Sequence, residues 1–286
     1  MHGKKVLVTG ATGMLGSNIL KVFENSIPLD STIDISNLSL VTQALQLHQP
    51  DIIIHTAAYT NVEECEEQHD KAYCINTLGT QNLVNYCIDK EVLFIYISST
   101  GIYGTQKDRE AYTEFDSVTP LTIHHKSKYE GEKVIINHLN QYLIIRTGWL
   151  YGGDKTHAKN FVYKRFLEAQ NKELIYSDNS QIGNPTFVED LIRQIEVLIE
   201  HNQYGLFNCV NRASGVSRYD YVKKTIELFN VDCEVKVAPS GMFERIAPIS
   251  ANESAINYKL ELLNLNVMSD WELSLETYIN QLKKEF

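Results

Sequence analysis

The chain has 286 residues, 43% of them hydrophobic, enough to bury a large core in one big domain or two unequal ones. The balance of 26 basic against 36 acidic residues gives a net charge of -10, which argues against a nucleic-acid partner whose phosphates must be neutralised. Five scattered cysteines (Cys65, Cys74, Cys87, Cys209 and Cys233) lack any C-x-x-C spacing, so neither a disulfide framework nor a zinc site is suggested and a reducing cytoplasm fits best.

The N-terminus reads as a strand and not as a charged-then-apolar leader, and no apolar run approaches the roughly 20 residues needed to cross a bilayer. A soluble, unexported protein without a membrane partner is expected. Asn252-Glu253-Ser254 spells a glycosylation acceptor and, without a secretory signal, reads as chance.

In chain order, the apolar run Lys4 to Thr9 predicts a strand and Met14 to Asn25 a helix, joined by Gly10-Ala11-Thr12-Gly13-Met14-Leu15-Gly16. Strand, glycine turn and helix in that order predict a dinucleotide site, because glycines let backbone N–H groups approach a pyrophosphate seated on a helix N-terminus. Ser26 to Asp30 predicts a second strand ending in an acid. Asp30 is placed to accept from ribose hydroxyls, and no Arg or Lys between Asp30 and Pro50 is present to offset a 2′-phosphate, a pattern that favours NAD mildly over NADP. Asp30 as a plain strand-ending turn residue is the alternative.

Leu38 to Leu47 predicts a helix and Asp51 to Ile54 a buried strand, followed by Thr56-Ala57-Ala58-Tyr59-Thr60, small enough for a cofactor to lie against the backbone. Asp70 to Asp89 predicts one long helix with Ala72, Ile75, Leu78, Leu83, Val84 and Cys87 on its apolar face. Leu93 to Ile97 is continuously apolar, as a central parallel strand should be. Pro120 to Asn140 and Leu143 to Thr147 add a helix and a strand. The alternation predicts an α/β fold, a Rossmann-type doubly wound parallel sheet with helices on both faces.

Later segments predict helices at Asn160 to Gln170, Val188 to His201 and Trp271 to Phe286, and a strand at Glu173 to Tyr176. The expected organisation is a dinucleotide-binding domain over 1–150 with a return segment near 181–212. Segments 151–180 and 213–286 would then form a smaller interleaved substrate lobe, with a cleft between the two.

Beyond two of the strand ends lie Ser98-Ser99-Thr100-Gly101-Ile102-Tyr103-Gly104 and the stretch Pro120 to Glu132, which contains His124-His125-Lys126-Ser127-Lys128-Tyr129. With the glycine motif, these segments resemble the extended short-chain dehydrogenase/reductases, and most of all the dTDP-4-dehydrorhamnose reductases among them. The resemblance extends through Ala57-Ala58-Tyr59-Thr60, Asn76, Arg146 to Gly152, Asn160-Phe161-Val162 and Gln181-Ile182-Gly183-Asn184-Pro185-Thr186. It implies reduction of the 4-keto group of a nucleotide-linked 6-deoxyhexose, with NAD(H) or NADP(H) as cofactor and a nucleotide sugar as partner, and it leaves room for a homodimer.

By this resemblance the cofactor residues are Gly10, Thr12, Gly13, Met14, Leu15, Gly16, Asp30, Ala57, Ala58, Tyr59, Asn76 and Lys128, and the substrate residues are Trp149, Asn160, Gln181 and Thr186. The family's chemistry uses a Ser or Thr, a Tyr, and a Lys four residues after the Tyr. Ser99 and Lys128 match the first and last, and His124 stands at the Tyr position.

Imidazole has an unperturbed pKa of about 6.5, suited to proton transfer near neutrality, and a Lys128 cation beside it depresses that value. The catalytic set is therefore Ser99, His124 and Lys128, with the proton coming from His124 or from a water it holds. A literal Tyr-x-x-x-Lys, Tyr129 to Lys133, would abandon the match at Gly131-Glu132, and Tyr103 and Tyr151 are other phenols near the expected cleft. A binding subunit that has lost the chemistry, as the regulatory subunit of methionine adenosyltransferase shows for this branch, is one alternative. A sugar-nucleotide epimerase is another, suggested by the stretch Ser98 to Gly104. No metal site is predicted, since His124 and His125 on one helix point about 100° apart.

Overall fold

The computed structural model describes residues 3–105 and 107–285. Its centre is a six-stranded sheet, all parallel, in the spatial order Gly205–Asn208, Tyr142–Thr147, Leu93–Ser99, Ile52–His55, Val6–Thr9, Ser26–Leu29. The first strand lies between the second and third, so the chain reverses its direction of winding there. That reversal opens a crevice over the strands' carboxyl ends.

Helices cover both faces, and the strands show why: alternate residues feed two separate cores. Val6, Val8, Ile52 and Ile54 pack with Leu15, Ile19, Leu191, Ile195 and Leu275 on one side. Leu7, Ile53, Phe94 and Ile144 pack with Val41, Leu45, Leu83, Val84 and Ile135 on the other. A strand buried on both faces must be apolar at successive positions, as these are.

The predicted helix over Asp70 to Asp89 is continuous but not uniformly α-helical. It runs as His69–Tyr73, a π-helical stretch Cys74–Leu78, and Gly79–Cys87. The wider turn shifts the register of the apolar face, so Leu78 is exposed while Ala72, Leu83 and Val84 stay buried. The helix Val62–Glu67 before it, the helix Arg218–Phe229 and the edge strand Gly205–Asn208 were not singled out by sequence pattern.

The final helix is Trp271–Lys283, and Phe286 lies outside the described residues. The second half also makes three small two-stranded sheets, among them Leu174–Ser177 beside Glu234–Val237. Among the described residues no helix is long and apolar enough to cross a membrane, and no group of His, Cys, Asp and Glu side chains is arranged to hold a metal.

Candidate active site

A cleft of about 1170 Å³ opens over the ends of Val6–Thr9, Ile52–His55 and Leu93–Ser99. Its floor is the glycine turn. Gly10 has φ +66°, and a Cβ on it would stand 2.7 Å from the backbone nitrogen of Ala57; one on Gly16 would stand 2.3 Å from the carbonyl oxygen of Gly10. Either side chain would drive backbone apart. The helix Met14–Val22 begins at Gly13 with no side-chain cap, which leaves its first N–H groups for an anion in the cleft.

Behind the turn, the Thr80 hydroxyl donates to the Asn76 carbonyl at 2.7 Å, so His55 must donate its Nε2 proton to Thr80 Oγ1 at 3.1 Å. Its Nδ1 then accepts from Thr9 Oγ1 at 2.7 Å, and the same hydroxyl oxygen accepts from the Ala57 N–H at 3.1 Å. His55 thus fixes the strand ends as a neutral ring, and burial holds its pKa well below the usual value.

Asp30 lines the cleft beside Ser31 and Asp34. Its carboxylate accepts from the Thr32 N–H at 2.8 Å and the Thr32 hydroxyl at 2.6 Å, bonds that hold its pKa below the usual range. Among the described residues, the cations lining the cleft are Lys128, Lys159 and Arg218, and none belongs to the Asp30 wall.

The helix Ile123–His138 supplies the opposite wall. The Thr122 hydroxyl caps its start by accepting from the His125 N–H, and Glu66 accepts from the Ile123 N–H at 2.7 Å. One face, carrying His124, Lys128, Gly131, Glu132 and Ile135, is buried. The i, i+4 spacing therefore brings His124 and Lys128 together into the cleft, which both line.

Lys133 points outward instead, 45% exposed and paired with Glu130 at 2.5 Å, and neither it nor Tyr129 lines the cleft. Tyr103 and Tyr151 do not line it either. The Tyr103 hydroxyl donates to Asn208 at 2.8 Å, and the Tyr151 hydroxyl is buried without a hydrogen-bond partner among the described residues.

His124 Nδ1 lies 2.9 Å from the carbonyl oxygen of Tyr59. A carbonyl can only accept, so Nδ1 carries the proton. Burial, and then the neighbouring His125 and Lys128, push its pKa well below the usual histidine value. The ring is neutral, and its Nε2 has no hydrogen-bond partner among the described residues.

Lys128 is 4% exposed, and its ammonium sits 4.0 Å from the centre of the Tyr96 ring without a hydrogen-bond acceptor among the described residues. Burial pushes its pKa down to about 7 against the opposing pull of Glu132. Glu132 accepts from Arg146 at 3.1 and 2.7 Å and from the Ser98 hydroxyl at 2.5 Å, tying the end of Leu93–Ser99 to this helix. Ser99 lines the cleft, and its oxygen accepts from the Gly101 N–H at 3.2 Å, leaving its proton free to donate.

At the far end stand Trp149, Phe161, Arg218 and Tyr221. Trp149 donates from Nε1 to Glu253 at 2.9 Å, and the Arg218 guanidinium covers its ring at 3.6 Å.

The structure brings Gly10, Thr12, Gly13, Met14, Leu15, Gly16, Asp30, Ala57, Ala58, Ser99, His124, Lys128 and Trp149 into one cleft. Five other predicted residues do not line it. Asn76 clamps the Tyr59 backbone, accepting from its N–H at 2.8 Å and donating to its carbonyl at 3.2 Å, while the Tyr59 ring reaches Glu64. Asn160 caps a helix and donates to the Tyr278 hydroxyl, Gln181 donates to the Ser250 carbonyl, and the Thr186 hydroxyl donates to the Asn184 carbonyl. Lys159, Arg218 and Tyr221 were not predicted. Lys159 immediately precedes the Asn160-Phe161-Val162 motif, and nothing local marks the other two.

The model of the RmlD substrate binding domain matches residues 4–284. The chain belongs to that family. A dTDP-4-dehydrorhamnose reductase of Aggregatibacter actinomycetemcomitans is 31% identical over 76% of this chain and 76% of its own. The Bacillus subtilis spore coat polysaccharide biosynthesis protein SpsK is 32% identical over 78% of each chain. Among solved structures, the dTDP-4-dehydrorhamnose reductase of Bacillus anthracis in complex with NADP superposes with a TM-score of 0.91 at 32% identity, covering 97% of this chain and 99% of that one. UDP-glucose 4-epimerase from Thermus thermophilus, at 19% identity and a TM-score of 0.82, shares the fold. This RmlD-family chain is therefore a member of the extended short-chain dehydrogenase/reductases.

Proposed function

We propose that this protein reduces the 4-keto group of a dTDP-linked 6-deoxyhexose in the cytoplasm, in sugar-nucleotide biosynthesis. The observation that carries the reading is the buried Lys128 ammonium, open to the cleft and lacking any hydrogen-bond acceptor among the described residues, opposite the uncapped helix start at Gly13. A buried cation without an acceptor implies a ligand that brings one. A dinucleotide fits: its pyrophosphate meets the N–H groups after Gly13 and its ribose hydroxyls meet Lys128.

When bound, the nicotinamide supplies the hydride. The Ser99 hydroxyl donates to the sugar carbonyl and orients it, and Lys128 holds the cofactor ribose. Trp149 walls the sugar. NADH is the preferred cofactor on this reading, because Asp30 and Asp34 line the adenosine end and none of the cleft's three cations stands on that wall among the described residues.

Mixing the protein with dTDP-4-dehydrorhamnose and either reduced cofactor is the test. Cofactor oxidation with formation of the 4-hydroxy sugar is expected. Binding of both ligands with no turnover would favour a second reading, a nucleotide-sugar-binding subunit without activity, which is supported by His124 standing where the family resemblance implies a phenol.

A further inference from the structure

Resting on that reading, we propose that His124 serves as a hydrogen-bond acceptor and that the proton for the reduced carbonyl comes from the Lys128 ammonium, through a water held at His124 Nε2. The Tyr59 carbonyl that receives the Nδ1 proton cannot turn away, because Asn76 grips both the N–H and the carbonyl of Tyr59. Nor can the ring flip without losing that bond and turning a carbon to the carbonyl. Nε2, the atom left for the cleft, carries a lone pair and no proton.

Burial, then His125 and Lys128 from its own helix, and Lys159 disfavour a second proton on His124; the Nδ1–H bond to the Tyr59 carbonyl pulls the other way, and the nearby Glu66 carboxylate is engaged by the Ile123 N–H. Around Lys128 stand Glu132 and His124 on its helix, and His55 and Tyr96 on the sheet. Of the cleft cations, Arg218 keeps its charge at any working pH and covers Trp149, and Lys159 is hydrogen-bonded to the Thr60 hydroxyl. Lys128 lies one turn from His124 on the same face, and a water fits such a gap when polar partners surround it.

The transfer balances. Once the hydride has formed the new C–H bond, the alkoxide takes a proton from the water, and the water takes one from Lys128 Nζ. The neutral amine left behind recovers its proton from solvent. His124 is unchanged at the end, having fixed the water with its lone pair.

Two measurements on the whole protein test this. Nitrogen-15 NMR of labelled histidines, with and without NADH, is expected to show His124 protonated at Nδ1 and bare at Nε2 from pH 6 to 8. In single-turnover reduction of dTDP-4-dehydrorhamnose, the rate is expected to fall as pH rises through one ionisation that survives in His124→Gln. Lys128→Arg, which keeps a cation for the ribose, is expected to bind NADH while losing about 10²- to 10⁴-fold in rate and the ionisation with it. A protonated Nε2, or an ionisation that vanishes in His124→Gln and persists in Lys128→Arg, overturns the proposal. A wild-type protein that binds both ligands and transfers no hydride overturns the functional reading instead, while the NMR spectrum still decides whether His124 is an acceptor.

Discussion

The Arg218 guanidinium lies 3.6 Å from the centre of the Trp149 ring, so a cation covers an aromatic wall of the cleft. Burial holds its pKa down at about 10, and none of its side-chain donors has a hydrogen-bond partner among the described residues. A donor fork held flat on an indole, beside a cleft that receives a sugar diphosphate, is suited to bidentate phosphate contacts. Arg218→Ala is expected to raise KM for the sugar nucleotide by about 10- to 100-fold, the loss of one or two charge-assisted bonds, with kcat changed far less. Steady-state kinetics check this, and an unchanged KM would remove Arg218 from the site.

Asp30 is expected to set cofactor choice. Its carboxylate is fixed by Thr32 and lines the cleft, where on the proposed reading it would repel a 2′-phosphate and accept from the ribose. Asp30→Ala should shift the NADPH/NADH affinity ratio toward NADPH by about tenfold, about 1.4 kcal/mol. Fluorescence titration of both cofactors reads the ratio; no shift would leave Asp30 a turn residue.

The Glu132–Arg146 pair should be the costliest ion pair to break. The carboxylate is fully buried and bonded to Arg146 and Ser98. Glu132→Ala strands a buried guanidinium and is expected to cost about 3–5 kcal/mol, whereas Glu130→Ala, which removes the exposed partner of Lys133, should cost about 0–1 kcal/mol. Denaturant melts of the two variants give the comparison.

Acid should destabilise the fold through its buried histidines. His125 is buried, with Nδ1 3.0 Å from the Thr122 hydroxyl, and burial depresses its pKa to about 4. Between that value and the unfolded value of about 6.5 the unfolded chain binds more protons, so the contribution is complete above about 6.5 and is lost as pH falls toward about 4. His55 and His124 shift in the same direction. The denaturation midpoint should fall from pH 7 to pH 4.5, and His125→Gln should shrink that fall; an equal fall in the variant would count against it.

The glycine turn, Asp30 and the helix carrying His124 and Lys128 were legible because each depends on local spacing: a strand end, a fixed acid, an i, i+4 face. The π-helical stretch at Cys74–Leu78 was not, since five residues in a wider turn leave the apolar periodicity of the flanks intact. Arg218 was hidden for another reason. It reaches the cleft through the packing of Arg218–Phe229, a helix whose Ser217 capping box in the structure fixes where it starts and says nothing of a ligand. Asn160, Gln181 and Thr186 belong to motifs that imply a ligand, yet in the structure they satisfy buried backbone and side-chain groups.

On this account the chain carries out keto-sugar reduction with the His124 imidazole at the position where the family resemblance implies a phenol. Single-turnover oxidation of bound NADH by dTDP-4-dehydrorhamnose, in the wild type and in His124→Tyr, tests it most directly. Oxidation in the wild type, faster at low pH, is the predicted result. No oxidation in the wild type, with activity appearing only when the phenol is restored, would contradict it and identify the natural protein as a binding subunit.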